Sequence, residues 1–166
     1  MREKYESKNR KFPFSRTLCV FRKAKESMVE KMLKLIIGVK GTGKTKQLID
    51  LVHEAVASSN GNVVCIEKGN KLRFDVNYRC RLIDAESFAV ADASALYGFV
   101  SGILASNHDV TDLFIDSALK ICKDDVPAFD ELLKKLDSVA EMSDVKLVIT
   151  SSIAVEDATD VMKKYL

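Results

Sequence analysis

Leu33-Lys34-Leu35-Ile36-Ile37-Gly38-Val39-Lys40-Gly41-Thr42-Gly43-Lys44-Thr45 is the stretch on which the reading of this chain turns. It opens as a short apolar run, passes through a loop with three glycines, and leaves through a segment where Leu48, Leu51, Val52, Ala55 and Val56 fall on one side of a helix. Asn60-Gly61 supplies the helix stop. Residues 38–45 fit G-x-x-x-x-G-K-[ST] in full. Glycines let successive backbone N–H groups turn inward around phosphate oxygens, and the helix start adds unsatisfied N–H groups and partial positive charge. In this pattern Lys44 reaches the β- and γ-phosphates and the Thr45 hydroxyl ligates Mg²⁺. The strand before the loop and the helix after it are the context that the chemistry requires.

The pattern repeats outward from this unit. Val63-Val64-Cys65-Ile66, Leu113-Phe114-Ile115 and Leu147-Val148-Ile149 are short runs that hardly alternate, as expected of strands buried on both faces of a parallel sheet. Helical periodicity lies between them. Ala93 to Ser106 carries Leu96, Phe99, Val100, Ile103 and Leu104, with Gly98 and Gly102 read as points of close approach to a neighbour. Phe129, Leu132, Leu133, Leu136, Val139 and Ala140 mark an amphipathic helix that starts near Asp124-Asp125 and Pro127. A last helix is expected over residues 156–165. Segment 70–88 reads as a connection with one or two short strands, from the alternating Leu72, Phe74 and Val76 and from Arg81-Leu82-Ile83-Asp84. Together these predict a three-layer α/β fold with a mostly parallel, four- to five-stranded sheet flanked by helices.

Composition narrows the class. The chain has 166 residues, the size of one domain, and no apolar run near the roughly 18–20 residues of a membrane span. Cys19, Cys65, Cys80 and Cys122 form no C-x-x-C pair, so neither a zinc site nor a disulfide framework is expected and the protein reads as cytoplasmic. Residues 1–31 carry ten Lys/Arg against four Asp/Glu, whereas residues 32–166 carry sixteen against twenty. The nucleotide-binding domain is therefore set at 32–166, mildly acidic and without a clear nucleic-acid surface. The basic extension, 1–31, is placed outside the core. Three readings of it stay open: a disordered tail, a helical arm for a partner, or translated sequence upstream of a start at Met28 or Met32. A basic arm for nucleic acid is the sharper functional alternative.

Asp116 closes the run Leu113-Phe114-Ile115, and an acid there can hold Mg²⁺ through water or cap a helix. With GVKGTGKT, DLFID and KLVITSS in place, residues 33–150 resemble the P-loop NTPases in which an inserted strand separates the Walker A and Walker B strands, as in RecA-like ATPases. The whole pattern, including YRCRLIDAESF and ALYGFVSGIL, also resembles small stand-alone P-loop proteins of Gram-positive bacteria that often carry a generic ATP-binding or twitching-motility label. The resemblance implies that KLVITSS lies between the other two strands, so that its end, with Thr150, Ser151 and Ser152, faces the γ-phosphate and Thr150 and Ser151 are the sensor candidates; a polar loop or a helix cap is the alternative. Many relatives place a catalytic glutamate directly after the Walker B aspartate, where this chain has Ser117. RecA-like members place it after the second strand, which here makes Glu67 the candidate to orient an attacking water. An exposed strand-end glutamate is the competing reading. Arg73, Arg79 and Arg81 form the one arginine cluster of the domain, either an arginine finger or a solvated face.

The expected function is Mg²⁺-dependent ATP binding at Gly38, Val39, Lys40, Gly41, Thr42, Gly43, Lys44 and Thr45, with slow hydrolysis through Glu67 and Lys44 and with Thr45 and Asp116 at the metal. A non-hydrolysing ATP-binding module and a small-molecule kinase are the alternatives. GTP is disfavoured, because Asn70-Lys71-Leu72-Arg73 fails N-K-x-D and Asp116-Ser117-Ala118-Leu119 lacks the D-x-x-G glycine. A protein partner or a homo-oligomer stays open. Because charge and periodicity change near Met32, deleting residues 1–31 is expected to leave folding and nucleotide affinity unchanged. A large fall in melting temperature would place that segment in the core.

Overall fold

The computed structural model describes residues 31–166. The expectations for the extension therefore lie outside the described residues, save at Lys31, whose ammonium donates to the Lys164 carbonyl. Five strands run in chain order as β1 (Leu33–Ile37), β2 (Asn62–Glu67), β3 (Arg81–Asp84), β4 (Val110–Ile115) and β5 (Lys146–Ser151). Four helices accompany them: α1 (Lys44–Ser58), α2 (Ala93–Ser106), α3 (Ala118–Ile121) and α4 (Val126–Ser143). The strands form one sheet in the order β1-β5-β4-β2-β3, and every pairing is parallel. As the resemblance implied, the strand carrying Thr150 and Ser151 lies between β1 and β4.

Burial on both faces explains the continuous apolar runs. Val63 and Cys65 of β2 and Phe114 of β4 meet Leu48, Val52 and Val56 of α1. Their sequence neighbours Val64, Ile66, Leu113 and Ile115 turn the other way into the larger core, with Leu96 and Val100 of α2 and Phe129, Leu133 and Leu136 of α4. Successive side chains of a strand alternate between faces, so a strand covered on both must be apolar throughout. The result is the expected three-layer α/β fold: α1 on one face, α2 and α4 on the other. Cys65, Cys80 and Cys122 are buried free thiols. Burial pushes the thiol of Cys80 and that of Cys122 up to about 12. No helix of the described residues is long and apolar enough to cross a membrane.

Three expectations change. Residues 156–165 form turns and one 3-10 turn, Met162–Lys164, instead of a helix. The Thr159 hydroxyl donates to Asp130 on α4 and accepts the Met162 N–H, a local side-chain bonding that competes with helix. This segment closes the outer edge of β1, where the Leu35 N–H donates to the Tyr165 carbonyl at 2.7 Å. Leu72, Phe74 and Val76 make no strand: the N–H groups of Asp75 and Val76 both return to the Leu72 carbonyl, and Phe74 is 92% exposed. Only Arg81–Asp84 of that region joins the sheet, as its edge.

The third correction concerns α2. Gly98 and Gly102 are exposed and bring nothing close, since a Cβ at either would meet no heavy atom within 4 Å. Filling these helical positions with alanine removes backbone freedom from the unfolded chain without a clash. Gly98→Ala and Gly102→Ala are each expected to raise the unfolding free energy by about 0.5–1 kcal/mol in urea titration. A loss of stability from either would show that this face is covered.

Candidate functional site

In an open parallel sheet the strand ends and the loops leaving them form the natural crevice. Here the loop leaving β1 is residues 38–45, and its glycines have steric reasons. A Cβ at Gly38 would come within 2.6 Å of Thr42 Oγ1, and Gly43, the residue before α1, sits at φ 82°. Both other long helices start under an aspartate: Asp92 accepts the Ala95 N–H on α2, and Asp125 accepts the Ala128 N–H on α4. No side chain caps α1, so its first-turn N–H groups are left for an external acceptor.

Inside the loop, the Lys44 ammonium donates to the Val39 carbonyl at 2.8 Å, and the Thr42 hydroxyl donates to the same oxygen at 2.9 Å. Desolvation lowers the Lys44 pKa from its usual value, Asp116 acts to raise it and Lys120 to lower it further. The lysine thus spans its own loop, beside a carboxylate.

Asp116 is the meeting point. Its Oδ1 accepts from Thr45 Oγ1 at 3.2 Å and from Thr150 Oγ1 at 2.9 Å, and its Oδ2 accepts from Ser117 Oγ at 3.0 Å. Thr150 Oγ1 also accepts the Ser117 N–H at 2.8 Å. The Asp116 N–H continues the sheet onto the Ile66 carbonyl at 2.8 Å. The three hydroxyls come from the start of α1, the second residue after β4 and the strand β5 between β1 and β4, and they hold a carboxylate that is only 8% exposed. A buried carboxylate needs such donors to offset its lost hydration. The cleft above them encloses about 390 Å³, with Gly41, Lys44, Thr45, Asp116, Thr150 and Ser152 among its walls. Lys40 and Gly43 line it as well, whereas Gly38, Val39 and Thr42 shape the loop from outside the cleft.

Among the described residues, no group of three or more His, Cys, Asp or Glu side chains could hold a metal. A cation in this cleft would have one carboxylate, one hydroxyl and otherwise water or ligand oxygens. That hard-oxygen set suits Mg²⁺, which keeps much of its hydration and usually takes one or two protein carboxylates plus phosphates. While the Thr45 hydroxyl donates to Asp116, its lone pairs stay available to such a cation.

The remaining sequence candidates separate. Glu67 is not an exposed strand-end residue: it is 1% exposed, and its Oε2 accepts the N–H groups of Lys71 at 2.9 Å and Leu72 at 3.0 Å. It therefore fixes the loop that brings Lys71 and Leu72 to the cleft wall, while its own Oε1 is buried without a partner. Thr150 bonds Asp116, whereas Ser151 is fully buried within β5 with its hydroxyl unpartnered, and Ser152 reaches the cleft. Arg73, Arg79 and Arg81 are exposed and line no wall of the cleft; Arg73 lies 5.9 Å over the Phe74 ring. Lys71 and Lys120 do line it and carried no motif. Their one sequence signal is a lysine a few residues beyond the end of a parallel strand.

No protein-family model matches the chain, and a search of curated proteins returns no match. The weight falls on the geometry, which generates one test independent of any ligand. Thr150→Val keeps the side-chain volume but removes both the donor to Asp116 and the acceptor for the Ser117 N–H. It is expected to cost about 1–3 kcal/mol of unfolding free energy in urea titration. A loss below about 0.5 kcal/mol would mean that the hydroxyl network does not hold the strand ends together.

Proposed function

We propose that this protein binds a nucleoside triphosphate with Mg²⁺ in the cleft above residues 38–45, favours ATP over GTP, and hydrolyses it slowly. The observation that carries the reading is the 3.2 Å hydrogen bond from Thr45 to Asp116, which joins the glycine loop to an acidic strand end. A glycine-rich turn that matched the motif by chance would have no reason to meet a buried carboxylate from a strand two places away in the sheet.

Each residue has a part. Open N–H groups at the start of α1 receive phosphate oxygens, and the Lys44 ammonium exchanges the Val39 carbonyl for phosphate by side-chain rotation alone. Thr45 and Asp116 hold the hydrated cation, oriented by Thr150 and Ser117. Mg²⁺ bound there neutralises charge on the phosphates. Glu67 does not line the cleft itself, and its buried, unpartnered Oε1 is the acceptor proposed to orient the attacking water. The adenine preference rests on the failed N-K-x-D and D-x-x-G patterns at Asn70 and Asp116. A non-hydrolysing ATP-binding module is the second reading. It is favoured by Ser117 beside Asp116, where its hydroxyl bonds the carboxylate, and by the use of Glu67 Oε2 as a loop anchor.

Calorimetric titration with ATP, with and without Mg²⁺, tests the site. Lys44→Ala is expected to weaken ATP binding about 10- to 100-fold, the worth of one or more charge-assisted hydrogen bonds, while circular dichroism stays unchanged. Affinity equal to the parent's would remove the site from consideration. Asp116→Asn is expected to erase most of the gain from Mg²⁺ and to leave metal-free affinity within a few-fold. For turnover, Glu67→Gln is expected to bind Mg²⁺ and ATP as the parent does and to release phosphate about 10²-fold more slowly. An unchanged rate would take Glu67 out of the chemistry. A parent that binds ATP with no turnover would establish the module reading.

A further inference from the structure

A second cleft, of about 640 Å³, adjoins the first and shares Lys71, Ser117 and Lys120 with it. It lies at the ends of β4, β2 and β3, on the side of Asp116 away from residues 38–45. Lys68 and Lys71 come from the loop after β2, Lys120 from α3 and Lys123 from the turn after it. Among the described residues no carboxylate pairs with any of these four lysines, although Glu86 and Asp124 line the same cleft. Four lysines against two carboxylates give the lining a net positive charge that an anion would complement.

The walls are fixed in advance. Lys68 Nζ donates to the Lys120 carbonyl at 2.9 Å, bracing the β2 loop against α3. Asp84 Oδ1 accepts the N–H groups of Gly69 at 2.9 Å and Glu86 at 3.0 Å, and its Oδ2 accepts the Ser87 hydroxyl at 2.8 Å. The backbone is strained at the same place. Ser117, Lys123 and Asp124 have φ of 55°, 58° and 59°, so three of the five left-handed non-glycine residues among those described line this one cleft. Ser117 begins α3 and Lys123 and Asp124 end it, so these left-handed residues set the turns that bring Lys120 and Lys123 to the cleft.

We propose that this second cleft binds the phosphate of a phosphorylated small molecule, separately from the nucleotide site and beside it. The volume suits a small ligand, and the lysines supply charge and N–H donors from three chain segments. Glu86 and Asp124 supply acceptors for hydroxyl or amino groups on the rest of that molecule. A long polyanion is a poorer fit, because the same two carboxylates would repel its successive phosphates.

The proposal does not depend on the nucleotide reading, and the experiment keeps the two apart. Inorganic phosphate is titrated into the full chain, with binding followed by ³¹P line broadening and by melting temperature. The titration is run in Lys44→Ala, because residues 38–45 of the parent would take inorganic phosphate as well, and this variant is expected to bind phosphate at the second cleft. Added to Lys44→Ala, Lys68→Gln and Lys123→Gly, whose side chains line that cleft and not the first, are each expected to weaken binding about fivefold or more. Lys123→Gly also relieves a left-handed residue, so its ligand-free melting temperature is expected to hold or rise while phosphate affinity falls; a general loss of structure would lower both. Ribose 5-phosphate is expected to bind more tightly than inorganic phosphate. Absence of phosphate binding by Lys44→Ala, or affinities within twofold of it when either cleft substitution is added, would overturn the proposal. So would ribose 5-phosphate binding no tighter than inorganic phosphate.

Discussion

A single buried carboxylate organises this molecule. Asp116 must be satisfied where solvent hardly reaches, and it is satisfied by hydroxyls from separate parts of the chain. Thr45 attaches the start of α1, Thr150 attaches β5, and Ser117 attaches the chain that leaves β4. Leaving one partner out would strand a charge or a donor in a place of low polarity, where such losses are costly. The sheet order puts β1 and β4 on either side of β5, and this carboxylate locks the three ends at one level.

The same end of the sheet is where the chain departs from rules that it obeys elsewhere. Two long helices are capped by aspartates, and the one that follows the glycine loop is not. Lysines gather without ion-pair partners among the described residues, and left-handed residues cluster beside them. The far side of the molecule, with Leu104, Val139 and Val145 packed into the main core, holds one left-handed residue, Asp144 at the end of α4. Departures from local preference that recur at one end of an otherwise consistent fold mark the part shaped by ligands.

Much of this was legible in the amino-acid order. Four of the five strands announced themselves as short apolar runs, because burial on both faces leaves no alternation to misread. The helix starts expected at 44 and 93 are those observed. Other features depended on tertiary contacts that no local pattern encodes. Glu67 looked like an exposed strand terminus, yet its carboxylate turns back to hold Lys71 and Leu72, a use set by the loop's path. Lys68, Lys71, Lys120 and Lys123 lie far apart in sequence and meet only because β2 and β4 are neighbours. Gly98 and Gly102 had the spacing of a packing face, but spacing alone does not say on which side a neighbour stands.

The order of the strands carries a consequence for synthesis. β1 is made first and pairs with β5, which is made last, so Leu33 waits for Leu147. The Thr150 hydroxyl that completes the ring around Asp116 arrives at the same late stage, and the Tyr165 carbonyl that closes the outer edge of β1 arrives later still. On the ribosome, β2 and β4 can pair and receive α1 while β1 still has an open edge on both sides. The glycine loop is thus among the first parts of the described chain to be translated and among the last to reach its final shape. A nascent chain stalled before residue 146 holds the whole motif and lacks the strand that gives it a floor.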